Sequence, residues 1–356
     1  MRRLLVIALL LSSLMAFTGQ SCEFQLGQPS DGGVFRSADK GSTWTQTVAL
    51  ISTDGRKRTF SNVDVRKLVV DIRDSRIMYA ATKRFGVFKT VDGGDSWARM
   101  YAQDVTVEDV IPDPRSKCVV YIIVGGQLLK TTDCGAQWQI VFNETRKDVQ
   151  LTSAAINPRD PSQVLLTNTA GELIESDDYG IAWATIYTLE RSPFTKIMFD
   201  KTDPMTWYLA TQHSGIYRTV NAGEQWEEIS TALQNKVGAM DYRFMGTLSR
   251  NEGVWYVAKG SFFRTFNGGM TWEQVPLLTP PDGASILAAT VNPINDDELW
   301  YATSTTVYHS VNAGGSWNTS PLPTNRAASY LVMDPYNGDR IFLGVQVYRS
   351  AVLQLF

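Results

Sequence analysis

The chain has 356 residues and a formal net charge of −3, with no long basic run, which argues against nonspecific nucleic-acid binding. It contains two histidines and three cysteines; neither His213 nor His309 sits in a metal-ligand pattern, so no metal site and no cofactor are expected. One β-rich domain accounts for the length, leaving no room for a second of comparable size.

The first segment, MRRLLVIALLLSSLMAF, has two arginines followed by a short apolar stretch to Phe17. It reads as a signal peptide over residues 1–21 rather than as a spanning helix, so export is expected. The string GQSC at 19–22 resembles a bacterial lipobox in placing Ser21 before Cys22, although Gly19 and Gln20 depart from that pattern. Cleavage by signal peptidase I after Ser21 fits as well. The favoured expectation is a lipoprotein of the cell envelope anchored through Cys22, and the alternative is a secreted or periplasmic protein with a free Cys22. Residues 22–32 then form a linker, and 33–356 the domain.

From Ser37 onward the frame Ser/Thr-x-Asp/Asn-x-Gly-x-x-Trp recurs seven times: SADKGSTW, TVDGGDSW, TTDCGAQW, SDDYGIAW, TVNAGEQW, TFNGGMTW and SVNAGGSW. Its tryptophans, Trp44, Trp97, Trp138, Trp183, Trp226, Trp272 and Trp317, are separated by 53, 41, 45, 43, 46 and 45 residues. Each frame follows an apolar or aromatic residue and usually a charged one, as in Phe88-Lys89, the alternation of a half-buried strand entering a turn. Upstream lie strands such as MYAAT, VYIIV and WYLAT. Most follow a turn (Asp113-Pro114, Asn157-Pro158, Asp203-Pro204, Asn292-Pro293), itself preceded by a short apolar strand. Each unit is therefore four strands, A to D, with the frame at the C-to-D turn. A four-stranded sheet repeated at this period cannot bury its faces alone, so the units must stack around an axis as a β-propeller.

Within the frame, the third residue is suited to accept backbone N–H groups about two residues on, while Gly supplies positive φ. Asp39, Asp92, Asp133 and Asp178 occupy this position in four frames, and Asn221, Asn267 and Asn312 in three. A general acid or nucleophile could not tolerate that exchange, whereas a turn acceptor can. The Trp is expected to anchor its hairpin by burying a large apolar area. Six units are complete; the first frame lacks strands A and B, and the C-terminal ASYLVMDPYNGDRIFLGVQ lacks C and D. The hairpin from Gly33 to about Val48 should therefore complete the last blade, giving a seven-bladed all-β ring with few free edges. The terminal VYRSAVLQLF starts like another C strand without the frame, as a surplus strand or the relic of an eighth blade. In the third unit counted from the N-terminus, the Gly125-Gly126 turn pairs Val124 with Gln127. Cys118 then lies opposite Asp133 and beside Cys134, so a disulfide between Cys118 and Cys134 is plausible.

The frames resemble the Asp-box, or bacterial neuraminidase repeat, over about residues 33–350. Propellers with this repeat include sialidases, xyloglucan-cleaving glycosidases, sortilin-type receptors and photosystem II stability and assembly factors. Spacing, compactness and the possible anchor look most like the assembly-factor branch. That resemblance implies a noncatalytic protein-binding or assembly scaffold, acting as a monomer on a protein partner with an acidic surface. The alternative is a glycoside hydrolase or carbohydrate-binding propeller. The chain contains no Arg-Ile-Pro sialidase motif, and no pair of loop carboxylates stands out at the spacing glycosidases need. Strand order puts the A-to-B and C-to-D turns at one end, with acids such as Asp74, Asp95, Asp296 and Glu298. Basic residues including Arg146, Lys196 and Arg326 fall at the other. Arg56, Lys57 and Arg58 in the long first interval, with Lys83, Arg84 and Phe85 in the next B-to-C loop, are expected to form one docking patch there.

Overall fold

The computed structural model describes residues 31–348 except Thr53, Val237, Gly238, Asp241, Asn251 and Asp282. The signal peptide, Cys22 and residues 349–356 lie outside the described residues. Seven four-stranded antiparallel sheets form the ring. Blade one runs Val65–Val70, Met78–Thr82, Val87–Thr90 and Ala98–Tyr101 from the axis outward, and blades two to six repeat the order. Blade seven takes its inner strands from the C-terminal side, Ala327–Asp334 and Asn337–Gln346, and its outer strands from the N-terminal side, Val34–Ser37 and Thr45–Gln46. Its seam is the antiparallel register Val34 with Gly344 through Ser37 with Ile341. The chain closes its own ring, and the last strand among the described residues ends at Gln346.

The B strands are rich in aromatic and branched residues because blades cover them on both faces. Met78–Thr82, Val164–Asn168 and Trp207–Thr211 are buried at every position, as continuous rather than alternating patterns require. Apolar cores sit between blades. Each core takes residues from two adjacent blades and the box tryptophan of the later one: Trp97 at the seven–one junction, Trp138 at one–two, and so on to Trp44 at six–seven. The tryptophan thus fastens one blade to the one before it, beyond the expected role of pinning its own hairpin. Trp183, Trp272 and Trp317 make the link polar as well, donating Nε1–H to the carbonyls of Val141, Ile229 and Pro276 at 2.7–2.8 Å.

The box turn has one geometry in all seven copies. The carboxylate or amide oxygen accepts a backbone N–H four residues on, further than expected: Thr43 to Asp39, 2.8 Å; Ser96 to Asp92, 2.9 Å; Gln225 to Asn221, 3.0 Å. The leading Ser or Thr hydroxyl donates to the same oxygen and accepts the N–H of the box glycine, as Thr90 does from Gly94 at 3.0 Å. That hydroxyl role was not read from the sequence. The glycine takes φ of +83° to +98° in every box, a backbone conformation strained for any side chain. The residue before it also has positive φ, and its N–H bonds a carbonyl of the A-to-B turn in each blade, such as Gly93 to Arg76 and Ala313 to Asp297. Both turns therefore share one end of the ring. The A-to-B turns carry a second side-chain cap. Asp113, Asn157 and Asp200 each accept the N–H groups two and three residues on, so Asp200, ahead of the expected Asp203-Pro204 pair, opens that turn.

Asp39 is held at about 2 by the Thr43 hydroxyl and N–H and by Ser37, and Asp92, Asp133 and Asp178 are also lowered. A depressed carboxyl contributes stability above its unfolded value and loses it as pH falls toward the folded one. Changing all four to Asn, as three boxes already have, should keep the fold at pH 7. It should also move the midpoint of acid unfolding to lower pH, measured by tryptophan fluorescence. Loss of folding at pH 7 would show that the charge itself is required.

Candidate functional site

Cys118 and Cys134 are joined as a disulfide across 16 residues, on the register Val120 with Thr131 and Val124 with Gln127. It ties the A-to-B turn of blade two to its box. Closing a loop of that size is worth about 3 kcal/mol, so reduction should lower the urea midpoint without abolishing the fold. An unchanged midpoint would mean that the cross-link adds no stability.

The long first interval folds as an added hairpin, Ala49–Leu50 paired with Arg58–Thr59. Its residues Val48 and Phe60 cover Trp97, whose ring meets Phe60 edge-on at 5.6 Å. Arg56 and Lys57 lie near the hairpin tip, exposed, and Arg58 reaches Asp54 at 2.6 Å. In the adjacent B-to-C loop Lys83 is half-buried, Arg84 exposed and Phe85 half-buried. The Lys83 N–H bonds the Asp64 carbonyl at 3.0 Å, and the Phe85 N–H bonds the Thr82 hydroxyl at 2.9 Å.

Phe85 is a partition between two grooves. One, of about 800 Å³, is bordered by Lys83, Arg84, Asp64, Thr106 and Tyr348. The other, of about 400 Å³, is bordered by Arg58, Leu50, Phe88 and Arg99. Lys83 and Arg84 thus border one groove with Phe85 and Arg58 the other, while Arg56 and Lys57 border neither. Arg99 was missed in sequence. It sits over the Phe85 ring at 5.9 Å and donates Nε–H to the Phe85 carbonyl at 2.8 Å. Its position on an outer strand, two residues after the box Trp, is the signal that could have found it.

Several charges assigned to the two ends are buried, enclosed or ion-paired rather than free on the surface. Arg326 is 5% exposed and pairs with Asp31 and Asp64. Arg146 is clamped between Glu144 and Glu172, and Lys196 lines the central channel. At the box end, Asp296 is buried against Ser249, and Glu298 against Asn292, His309 and Lys40. Beside exposed acids such as Asp95, Asp297 and Asp339, that end exposes apolar side chains: Val91, Ile181, Val220 and Met270 stand out from box turns, and Ile72 and Tyr336 from A-to-B turns. The carboxylates bordering the cavities are engaged, Asp64 with Arg326, Asp71 with Arg73, Asp109 with Lys67 and Glu108 with Arg66. Among the described residues no three His, Cys, Asp or Glu side chains form a metal-binding group, and no helix is long and apolar enough to cross a membrane.

No protein-family profile and no curated protein matches this sequence. Solved structures share the fold. A glycoside hydrolase family 74 xyloglucanase from Xanthomonas campestris superposes with a TM-score of 0.64 at 16% identity, covering 79% of this chain and 51% of that one. This chain thus spans about half the length of that enzyme. YCF48 from Cyanidioschyzon merolae superposes at 0.61 and 14% identity, over 79% of this chain and 95% of that one. YCF48 bound to a D1 peptide gives 0.59 and 14%, over 80% and 94%. At these identities the likeness is one of fold.

Proposed function

We propose that this propeller is an exported, noncatalytic scaffold that docks an acidic protein segment beside Phe85. The carrying observation is that Phe85 borders two grooves, one with Lys83 and Arg84 and the other with Arg58, which combines an apolar anchor with steering charge. The YCF48 propeller, similar over nearly its whole length, binds a D1 peptide, which supports peptide docking as a use of this architecture. Engagement of the cavity carboxylates by cations and turn N–H groups favours binding over hydrolysis. Sialosides and β-glucans are expected to show no turnover, and turnover abolished by mutating one loop carboxylate would replace the scaffold reading with that of a glycosidase. We further propose that Cys22 is the lipidated N-terminus. Intact mass of membrane-extracted protein tests this, and an unmodified chain in the soluble fraction overturns it.

Reversing Arg56, Lys57, Arg58, Lys83 and Arg84 to Glu should abolish co-purification of the partner from the native envelope. Thermal stability should change little, because four of the five charges are exposed and Lys83 is only half-buried, and such charges contribute little to folding. Equal recovery with the reversed protein would move the docking surface to the apolar rim at the box end.

A further inference from the structure

The inner strands line the axis of the ring, and at one level, four residues before the A-to-B turn cap, five of them present Lys67, Asp109, Ser153, Lys196 and Tyr330. The first four face the fourth residue of their B strands, Ala81, Ile123, Thr167 and Ala210, and Tyr330 faces Gly344. The ladder is irregular immediately before Lys67, Ser153, Lys196 and Tyr330, the kind of bulge that re-aims side chains. Lys67, Asp109, Lys196 and Tyr330 border both a cavity of about 670 Å³ toward the box end and one of about 530 Å³ on the other side. They form the waist between two vestibules.

The charges at this waist do not balance. Asp109 is committed: one oxygen takes the Lys67 ammonium, and the other accepts the Ser153 hydroxyl at 3.4 Å. Lys196 has no carboxylate within ion-pair distance among the described residues, and burial together with the nearby Lys67 charge pulls it down to about 8. It is still mostly protonated at neutral pH. An enclosed ammonium without a counter-charge is costly, and the Ser329 hydroxyl bordering the lower cavity has no hydrogen-bond partner either. We propose that the channel waist binds a compact oxyanion, held by the Lys196 and Lys67 ammonium groups with Ser329 and Tyr330 as further donors. The site lies on the axis, away from Phe85, and stands or falls independently of the docking patch.

Inorganic phosphate is the probe, titrated calorimetrically into the whole mature protein at pH 7.5. One site is expected, weakened roughly tenfold or more in Lys196→Met and unchanged in Lys147→Gln, an exposed lysine on an outer loop. Raising the pH to 9.5 should weaken binding to the wild type by a similar factor. Over that interval only Lys196 changes charge among the shifted groups facing the site. Burial would lower Lys67, but Asp109 outweighs it and raises it, while burial raises Tyr330 and Tyr242 above 10. The remaining charged residues bordering the two cavities are the paired Arg66 and Glu108 and Arg243 on one side, and Asp71, Asp113, Asp200 and Lys201 toward the box end. The pH arm decides the matter even if Lys196→Met fails to fold. Absence of phosphate binding to the wild type, equal affinity in Lys196→Met, or affinity indifferent to pH would overturn the site.

Discussion

Replacing Trp97 with Ala is expected to cost about 3–5 kcal/mol, the largest effect among the seven box tryptophans. It is the one box Trp that is fully buried. The added hairpin closes over it through Val48 and Phe60, and its backbone joins the hairpin by N–H to Ala49 and carbonyl to Ile51 at 2.8 and 2.9 Å. Truncation would leave a cavity at the seven–one junction, where the N-terminal strands complete the ring, so the loss falls on closure itself. Its Nε1–H is buried with no acceptor among the described residues, and Trp97→Phe, which removes that donor and keeps a ring, should cost much less. Trp183→Ala provides the comparison. That Trp is half-buried with its Nε1–H bonded to Val141 and Gly180. Urea unfolding should rank the losses as Trp97→Ala, then Trp183→Ala, then Trp97→Phe; a Trp97→Ala midpoint equal to wild type would remove the junction role.

Arg326→Met should destabilise by a comparable amount, about 3–5 kcal/mol, because it strands two carboxylates that share one buried cation. Arg326 contacts Asp64 at 2.7 Å, Asp31 at 3.4 Å and the Asn62 carbonyl at 3.3 Å. One guanidinium thereby ties the N-terminal segment, the end of the first insertion and the start of blade seven. Burial works to raise the Asp31 carboxyl, but hydrogen bonds from Asn325, Thr324 and Arg326 leave it net lowered. The sign follows: this contribution is present above pH 4 and fades as the carboxyl protonates, so the penalty of Arg326→Met should shrink between pH 7 and pH 3. Adding Asp31→Asn and Asp64→Asn should recover part of the loss at pH 7. A triple variant no more stable than Arg326→Met alone would mean that the guanidinium acts by packing and not by charge.

The sequence by itself determined what depends on near neighbours in the chain. Seven box turns were legible because hydroxyl, Asp or Asn, glycine and Trp act within eight residues. Strand order and the register around Gly125-Gly126 followed from the same local turn chemistry, and ring closure followed from counting which unit lacked which strands. Tertiary structure decided everything that depends on one blade meeting the next. It turned the box Trp from a hairpin anchor into a clamp between blades, and it placed Arg58 beside Phe85 while leaving Arg56 and Lys57 at a hairpin tip. Arg326, counted with the exposed charges, became the buried partner of Asp31 and Asp64, 295 and 262 residues away in sequence. Lys67, Asp109 and Lys196 look like ordinary strand residues one at a time. Their charge becomes a property of the channel only when inner strands of different blades face a common axis, and pairwise Coulomb energy and desolvation depend on that distance and enclosure, which no local stretch of chain encodes.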